Sequence, residues 1–379
     1  MFYYGKNSLN KKDKQKINEV LNEGYLSQGK SLTILEKKFA KYVGAKYCLA
    51  VSSGTAALHL AISCLKLDKK NKAVTTPMTF VATVNACIYS NIDFDLVDID
   101  SNNFNICPKK LIKYFNNKKN QNLTKIIIPV HFGGFPCDMK EINRIAKKNN
   151  AYVIEDASQA MGAEYKKDKV GSCKYSDISV FSMHPVKTIT SGEGGLITTN
   201  NKTLFEKMKL MRSHGLKRKK GTPWTAEMIT IGYNYRITDL QTSLAISQLE
   251  RINGFIKKRE KIARFYKQNL KGNNISFQER IDDSISSNHL FILIFNNKIS
   301  HANKVKLYND LLKRKIKFAV QYLPINKHKY YKKKFKKNYK NSENLYKNAI
   351  NLPIYTDLTH KNLLYIVKNL NKIIKKYNL

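Results

Sequence analysis

Between Tyr47 and Asp156, short apolar runs rich in β-branched residues alternate with stretches of helical periodicity. The runs cover residues 47–51, 73–76, 93–98, 125–130 and 151–155. A strand that is apolar at nearly every position must be covered on both faces, whereas a strand that meets water alternates. The helices between the runs are the natural cover. The pattern therefore predicts an α/β architecture, with a mainly parallel central sheet between helical layers. Ligands of such sheets gather beyond the carboxyl ends of the strands. The turn Ser52-Ser53-Gly54-Thr55, the loop His131-Phe132-Gly133-Gly134 and Asp156 all fall at that edge.

The first of these has the form of an anion site. It leads from a strand into an apolar helix through Ala57, Leu58, Leu60 and Ile62. Free N–H groups of a first helical turn attract anions, Gly54 permits close approach, and Ser53 and Thr55 add hydroxyls. The same residues would serve equally well as an ordinary serine cap.

Further on, residues 177–182 and 195–199 read as strands, and Lys187 lies between them in Ser182-Met183-His184-Pro185-Val186-Lys187. Pro185 stiffens its approach and a small, glycine-rich run follows. An amine enclosed between buried strands has a lowered pKa and can form a Schiff base. Taken alone, Lys187 also fits a solvated loop.

The charge balance raises a different function. The chain has 68 Lys and Arg against 28 Asp and Glu, a formal +40, which suggests a polyanion as partner. The excess is mainly lysine spread along the whole chain, while readers of base edges lean on arginine. Nucleic acid is therefore not the expected partner. Apolar runs are too short to span a bilayer, and Met1 to Lys6 lacks the apolar centre of a signal peptide. The six cysteines are scattered with no Cys-x-x-Cys pair, so neither a disulfide framework nor a metal site is expected. These features suit a cytoplasmic protein.

Beyond Gly195 the pattern turns helical. A helix is expected over residues 204–211, then a solvated, mobile basic loop at 217–221. Thr238 caps a long helix that runs on to Leu270. A smaller α+β unit follows, with strands at 289–295 and 316–320, helices at 302–315 and near Leu345, and a terminal helix from Thr359. The lysine- and tyrosine-rich stretch 327–340 reads as surface loop and short helix. The expected division is a large domain over 1–250, with an N-terminal helical segment, and a small domain over 251–379.

A phosphate-ready helix start, an aspartate at a strand end and an enclosed lysine together match the needs of pyridoxal 5'-phosphate. That cofactor requires an amine for its aldehyde, a carboxylate for its ring nitrogen and a phosphate cradle. At these residues the chain resembles the DegT/DnrJ/EryC1 sugar aminotransferases, of the aspartate-aminotransferase-like fold type I. The resemblance spans nearly the whole length. It rests on Ser52-Ser53-Gly54-Thr55-Ala56-Ala57-Leu58, Pro77-Met78-Thr79-Phe80, Glu155-Asp156-Ala157-Ser158-Gln159-Ala160, the Lys187 stretch, Gly192-Glu193-Gly194-Gly195 and Gly232-Tyr233-Asn234-Tyr235-Arg236.

The resemblance implies a role for each matching position. Lys187 would hold the cofactor and move a proton between substrate and cofactor, and Asp156 would pair with the ring nitrogen. Gln159 would orient the ring hydroxyl and Phe80 would stack on the ring. Gly54, Thr55, Ala56 and Ser182 would bind the phosphate. Asn234 would reach the neighbouring subunit's phosphate, implying a homodimer with sites completed across the interface. His184 would be structural or substrate-facing. Dehydratase relatives carry histidine in place of the lysine, so the intact Lys187 favours transamination.

Within the family the chain is most similar to the branch serving pseudaminic acid synthesis, through Tyr4, Tyr25-Leu26-Ser27-Gln28-Gly29-Lys30, Ser286-Ser287-Asn288-His289-Leu290 and Val320-Gln321-Tyr322-Leu323-Pro324. That branch moves the amino group of L-glutamate to the C4 keto group of a UDP-linked 4-keto-6-deoxy-N-acetylhexosamine. Tyr4, Tyr25, Leu26, Ser27, Ser53, His184 and Tyr322 would contact the substrate. Gln321 departs from the pattern, since many relatives have histidine there.

Overall fold

The computed structural model describes residues 1–219, 221–297 and 299–377. Its centre is a seven-stranded sheet. In chain order the strands are β1 (Tyr47–Val51), β2 (Lys72–Thr75), β3 (Asp93–Leu96), β4 (Thr124–Ile127), β5 (Tyr152–Asp156), β6 (Ile178–Ser182) and β7 (Gly195–Thr199). They lie in the order β1-β7-β6-β5-β4-β2-β3. Only β7 runs against its neighbours, and it pairs antiparallel with both β1 and β6. The expected mainly parallel α/β sheet is therefore present.

Both faces of the sheet are dry. One packs Leu49, Ile126, Ile154 and Val180 under Leu58, Leu60 and Ile62 of the helix Gly54–Ser63. The other packs Val74, Ile127 and Val153 under Leu111, Ile142 and Ile145. Around β6 and β7, Phe181 and Leu196 meet Leu35 and Phe39 of the helix Lys30–Val43, and Leu249 of the helix Asp239–Leu249. A second core belongs to the C-terminal part. There the strands Ile275–Phe277, Phe291–Phe295 and Ala349–Leu352 form a separate sheet, packed through Leu293, Phe295 and Ile350 against Ile366 and Leu370. Met78, Phe132, Leu290, Ile292 and Leu345 pack together between the two cores.

Three expectations need correction. The long helix is two, Asp239–Leu249 and Ile252–Asn269, because Arg251 leaves helical geometry at φ −106° and ψ 0°. The basic stretch at 217–221 is the tip of a hairpin, with Leu216–Lys219 paired to Thr222–Met228; Gly221, at φ 89°, lies at the turn. Lys220 of that stretch lies outside the described residues. Residues 316–320 do not form a strand. They make single bridges from Ile316 to Phe2 and from Ala319 to Asn351, while the nearby strand positions are filled by residues 275–277 and 349–352. The six cysteines are buried and free, and among the described residues no helix is long and apolar enough to cross a membrane.

One buried carboxylate ties the N-terminal helix Lys11–Glu23 to the residues that follow Thr238. Asp13 is 1% exposed and accepts from Ser247 at 2.7 Å and from Gln248 at 2.9 Å, besides pairing with Arg251. Asp13→Ala would leave these donors and a partly buried guanidinium without their acceptor. We expect it to cost about 3 kcal/mol, read as a lowered thermal unfolding midpoint. A midpoint equal to wild type would contradict this account.

Candidate active site

The carboxyl edge of the sheet brings together residues remote in sequence. β5 ends at Asp156, which is 5% exposed. Its Oδ2 accepts from Thr83 Oγ1 at 2.6 Å and its Oδ1 from the Ser158 amide at 3.1 Å. Thr79 lies 2.6 Å from the Thr83 hydroxyl. Since Thr83 gives its proton to Asp156, Thr79 must be the donor in that pair. This hydroxyl relay aims the carboxylate into the cavity.

Lys187 lies on the loop between β6 and β7. Met183 secures the loop, its N–H reaching Gly194 O at 2.8 Å and its carbonyl accepting from Thr190 and Ser191. Burial pushes the Lys187 amine down to about 8, and the Asp156 carboxylate holds it partly up. It is a desolvated amine with one acidic neighbour, as a carbonyl-binding lysine requires.

The turn after β1 meets β6 in close contact. A Cβ on Gly54 would lie 2.9 Å from Ser182 Cβ, and one on Gly195 would lie 2.3 Å from the Ser53 carbonyl oxygen. Backbone therefore forms this part of the wall. Ser53 caps the helix Gly54–Ser63, its Oγ accepting from the Ala56 amide at 3.1 Å. The resulting cavity, about 390 Å³, is lined by Ser53, Gly54, Thr55 and Ser182, by Tyr4, Gln321 and Tyr322, and by Asp156 and Lys187.

Of the residues expected in the site, Tyr4, Ser53, Gly54, Thr55, Phe80, Asp156, Gln159, Ser182, His184, Lys187 and Tyr322 line this one cavity. Phe80 is 56% exposed, its ring centroid 5.6 Å from that of Tyr322, and so offers a free aromatic face. The Gln159 amide spans the wall, accepting from the Gly133 N–H at 2.7 Å and donating to Tyr322 Oη at 2.8 Å.

Five others lie elsewhere. Ala56 is buried and its N–H is taken by Ser53, so it does not face the cavity. Tyr25, Leu26 and Ser27 form an exposed turn held to the helix Asp239–Leu249. Asp239 accepts there from Gly29 N–H at 2.8 Å, and Ser27 bridges Thr238. Asn234 is exposed nearby and does not reach this cavity. His131, from the second edge feature, is fully buried. Its Nδ1 accepts from the Cys137 amide, so Nε2 donates to Glu155 at 2.8 Å. That contact, with hydroxyls from Ser176 and Ser179, holds the Glu155 carboxyl below the usual range against the opposing effect of burial.

Sequence reasoning missed Thr83, Ser158, Glu193 and His289. The last three line the cavity. Glu193 and His289 sit inside motifs already singled out, yet no spacing rule couples residue 289 to a site built from residues 53–195.

An aromatic face, a backbone-lined cradle with hydroxyls, a carboxylate and a desolvated amine in one cavity fit pyridoxal phosphate. The fold and site define a pyridoxal-phosphate-dependent aminotransferase. Residues 7–371 match the DegT/DnrJ/EryC1/StrS aminotransferase family, and the chain belongs to it. It is a sugar aminotransferase. A UDP-4-amino-4,6-dideoxy-N-acetyl-β-L-altrosamine transaminase of Campylobacter jejuni is 36% identical, over 99% of this chain and 98% of that one. A GDP-perosamine synthase of Escherichia coli O157:H7 is 32% identical over 96% of each chain. The solved structure of Helicobacter pylori PseC, an aminotransferase of pseudaminic acid biosynthesis, superposes with a TM-score of 0.91 at 31% identity, covering 99% of both chains.

The lowered amine gives a direct test. Acylation of Lys187 in the cofactor-free protein, followed by mass spectrometry, should rise as pH passes through about 8, because only the neutral amine reacts. In Asp156→Asn the midpoint should fall further, since the attraction that favours the charged form is gone. A Lys187 profile coincident with that of exposed lysines would refute the buried-amine reading.

Proposed function

We propose that the chain transfers the amino group of L-glutamate to the C4 keto group of a UDP-linked 4-keto-6-deoxy-N-acetylhexosamine, giving UDP-4-amino-4,6-dideoxy-N-acetyl-β-L-altrosamine for pseudaminic acid synthesis. The observation that carries the reaction type is Lys187 and Asp156 sharing one cavity. The choice of sugar is supported by the full-length similarity to the Campylobacter jejuni transaminase.

In this reading Gly54, Thr55 and Ser182 hold the cofactor phosphate, Phe80 covers one ring face, and Gln159 meets the ring hydroxyl. Asp156, fixed by Thr83 and the Ser158 amide, keeps the ring nitrogen protonated. When bound, pyridoxal phosphate supplies an electron sink for the carbanion formed at the reacting carbon. Lys187 Nζ carries the proton between the reacting carbons, and an amine near 8 can both accept and return it close to neutral pH. Tyr4, Ser53, His184 and Tyr322 face the remaining space, where the sugar nucleotide would lie.

The residues that miss the cavity support a homodimer. Tyr25 and Ile231 are each 73% exposed and Trp224 is 79% exposed, with Leu26, Met228 and Ile229 also open to solvent. So much apolar surface beside Asn234 suits burial against a second copy. Asn234, Tyr25, Leu26 and Ser27 would then serve that copy's cavity. The net charge of +40 favours a diphosphate-bearing substrate over a neutral sugar.

A second reading, amination of a GDP-linked 4-keto sugar, is favoured by the likeness to the perosamine synthase. Glutamate-dependent amination of UDP-, GDP- and dTDP-linked 4-keto sugars, with product stereochemistry read by NMR, separates the two. Under our proposal only the UDP-linked N-acetyl sugar should turn over efficiently, and Lys187→Ala should lose both turnover and the visible absorption of the holoenzyme. Preference for a GDP sugar would overturn the proposed substrate, and a colourless protein that aminates nothing would overturn the activity.

A further inference from the structure

The lysine- and tyrosine-rich stretch 327–340 takes no part in the site described above. Eight of its fourteen residues are lysine, against 68 Lys and Arg among all 379, and no Asp or Glu occurs between Asp310 and Glu343. Two of the eight are paired, Lys327 with Glu343 at 3.0 Å and Lys334 with Asp93. Lys329, Lys332, Lys333, Lys336, Lys337 and Lys340 are exposed and, among the described residues, have no carboxylate within ion-pair distance.

The stretch is anchored from below. Its turns are closed by the Lys332 N–H on the His328 carbonyl at 2.9 Å and the Lys334 N–H on the Tyr331 carbonyl at 3.0 Å. Tyr331 and Tyr339 are buried in the main core, and Phe335 packs against it. The Tyr331 ring meets Phe94 edge-on at 5.4 Å, and its hydroxyl donates to Asn85 Oδ1 at 2.8 Å. The Phe335 ring lies 5.4 Å from Phe94 as well. Three of the four rings thus face inward and leave the lysines outside. The fourth, Tyr330, is 81% exposed.

This arrangement discriminates among polyanions. Single-stranded nucleic acid is held by bases stacking on a series of exposed rings, and here only one ring is free. Base edges of a duplex are read best by arginine, and the stretch contains none. A second copy of this chain, itself at +40, would be repelled. Anionic phospholipid headgroups need neither stacking nor bidentate contacts. They offer a plane of phosphates to point charges, and each lysine near such a surface contributes about 1 kcal/mol. One exposed tyrosine, apolar in its ring and polar at its tip, suits the headgroup layer.

We propose that residues 327–340 form a docking surface for an anionic phospholipid bilayer, on which the enzyme rests peripherally with no segment crossing. The proposal is independent of which sugar nucleotide is aminated.

Co-sedimentation of the holoenzyme with vesicles tests it. Wild type should bind phosphatidylcholine vesicles containing about one-third phosphatidylglycerol, ignore pure phosphatidylcholine, and be released as salt rises from about 0.05 to about 0.5 M. A variant combining Lys329→Gln, Lys332→Gln, Lys333→Gln, Lys336→Gln and Lys337→Gln should bind about 100-fold more weakly, with the visible absorption of the bound cofactor unchanged. Because a chain of +40 attracts any anionic surface diffusely, a control removes the same charge elsewhere. Lys11→Gln, Lys12→Gln, Lys14→Gln, Lys361→Gln and Lys368→Gln, all at exposed positions, should together cost no more than about threefold. Equal losses in the two variants, or none in the first, would overturn the proposal, as would wild type that binds both kinds of vesicle alike. Tighter binding of poly-uridylate than of the phosphatidylglycerol vesicles at equal salt would also overturn it, and would make nucleic acid the partner.

Discussion

A single electrostatic balance organises the active site: burial lowers the Lys187 amine and one carboxylate, Asp156, opposes the fall. Burial alone would drive the amine's pKa down further, and the carboxylate restrains the fall, leaving it near 8. To maintain that balance the protein must keep both groups at the edge of a dry sheet without letting water restore ordinary values. The strand order achieves this. Because β7 alone runs against the sheet, its start lies at the same edge as the ends of β1, β5 and β6. The loop from β6 to β7 thus returns to the edge it left, with Lys187 between the strand end holding Asp156 and the turn holding Gly54. Gly195 allows β7 to begin against the Ser53 carbonyl, where any side chain would collide.

A second layer of polar contacts makes this edge rigid. Behind Asp156, Glu155 points to the opposite side and takes hydrogen bonds from His131, Ser176 and Ser179. The His131 loop in turn offers Gly133 N–H to Gln159 and the Gly134 carbonyl to Ser286 and Ser287. A buried carboxylate is tolerated only when several donors offset its desolvation, and the donors also fix the loop geometry. The cavity wall is therefore continuous with the sheet interior and with the C-terminal unit.

How much of this could be read from sequence follows from how local each signal is. The strands β1 and β7 and the cap at Thr238 are set by neighbouring residues, and periodicity with capping chemistry located them. The cavity also emerged, because Gly54, Asp156, Ser182 and Lys187 each sit beside a strand end. What escaped depended on long-range contacts. The break falls at Arg251, whose side chain is tied to Asp13, 238 residues away, a contact that no local helix signal reports. Residues 316–320 have strand-like composition, but their neighbours contribute only single bridges. The hairpin at 216–228 was hidden by its charge, since exposed basic residues such as Lys217 and Arg218 look like loop. His289 belongs to the site only because Arg259 and Gly134 hold its segment there.

The residues that failed to reach the cavity matter as much as those that did. Ala56 was misplaced for a local reason: a helix start has several N–H groups, and the serine cap consumes the one at that position. Tyr25, Leu26, Ser27 and Asn234 are different, because they cluster with one another. Asp239 ties the Tyr25–Gly29 turn to the helix that follows Asn234, and both the turn and the loop two hundred residues later carry exposed apolar side chains. An isolated chain gains nothing from tying these segments down while leaving aromatic rings in water. The same arrangement gains a great deal if they are buried against a second copy, where they can add polar and aromatic groups to an open cavity. In that arrangement the buried Lys187–Asp156 pair is set by the fold of one chain, and the recognition surface around it is shared by two.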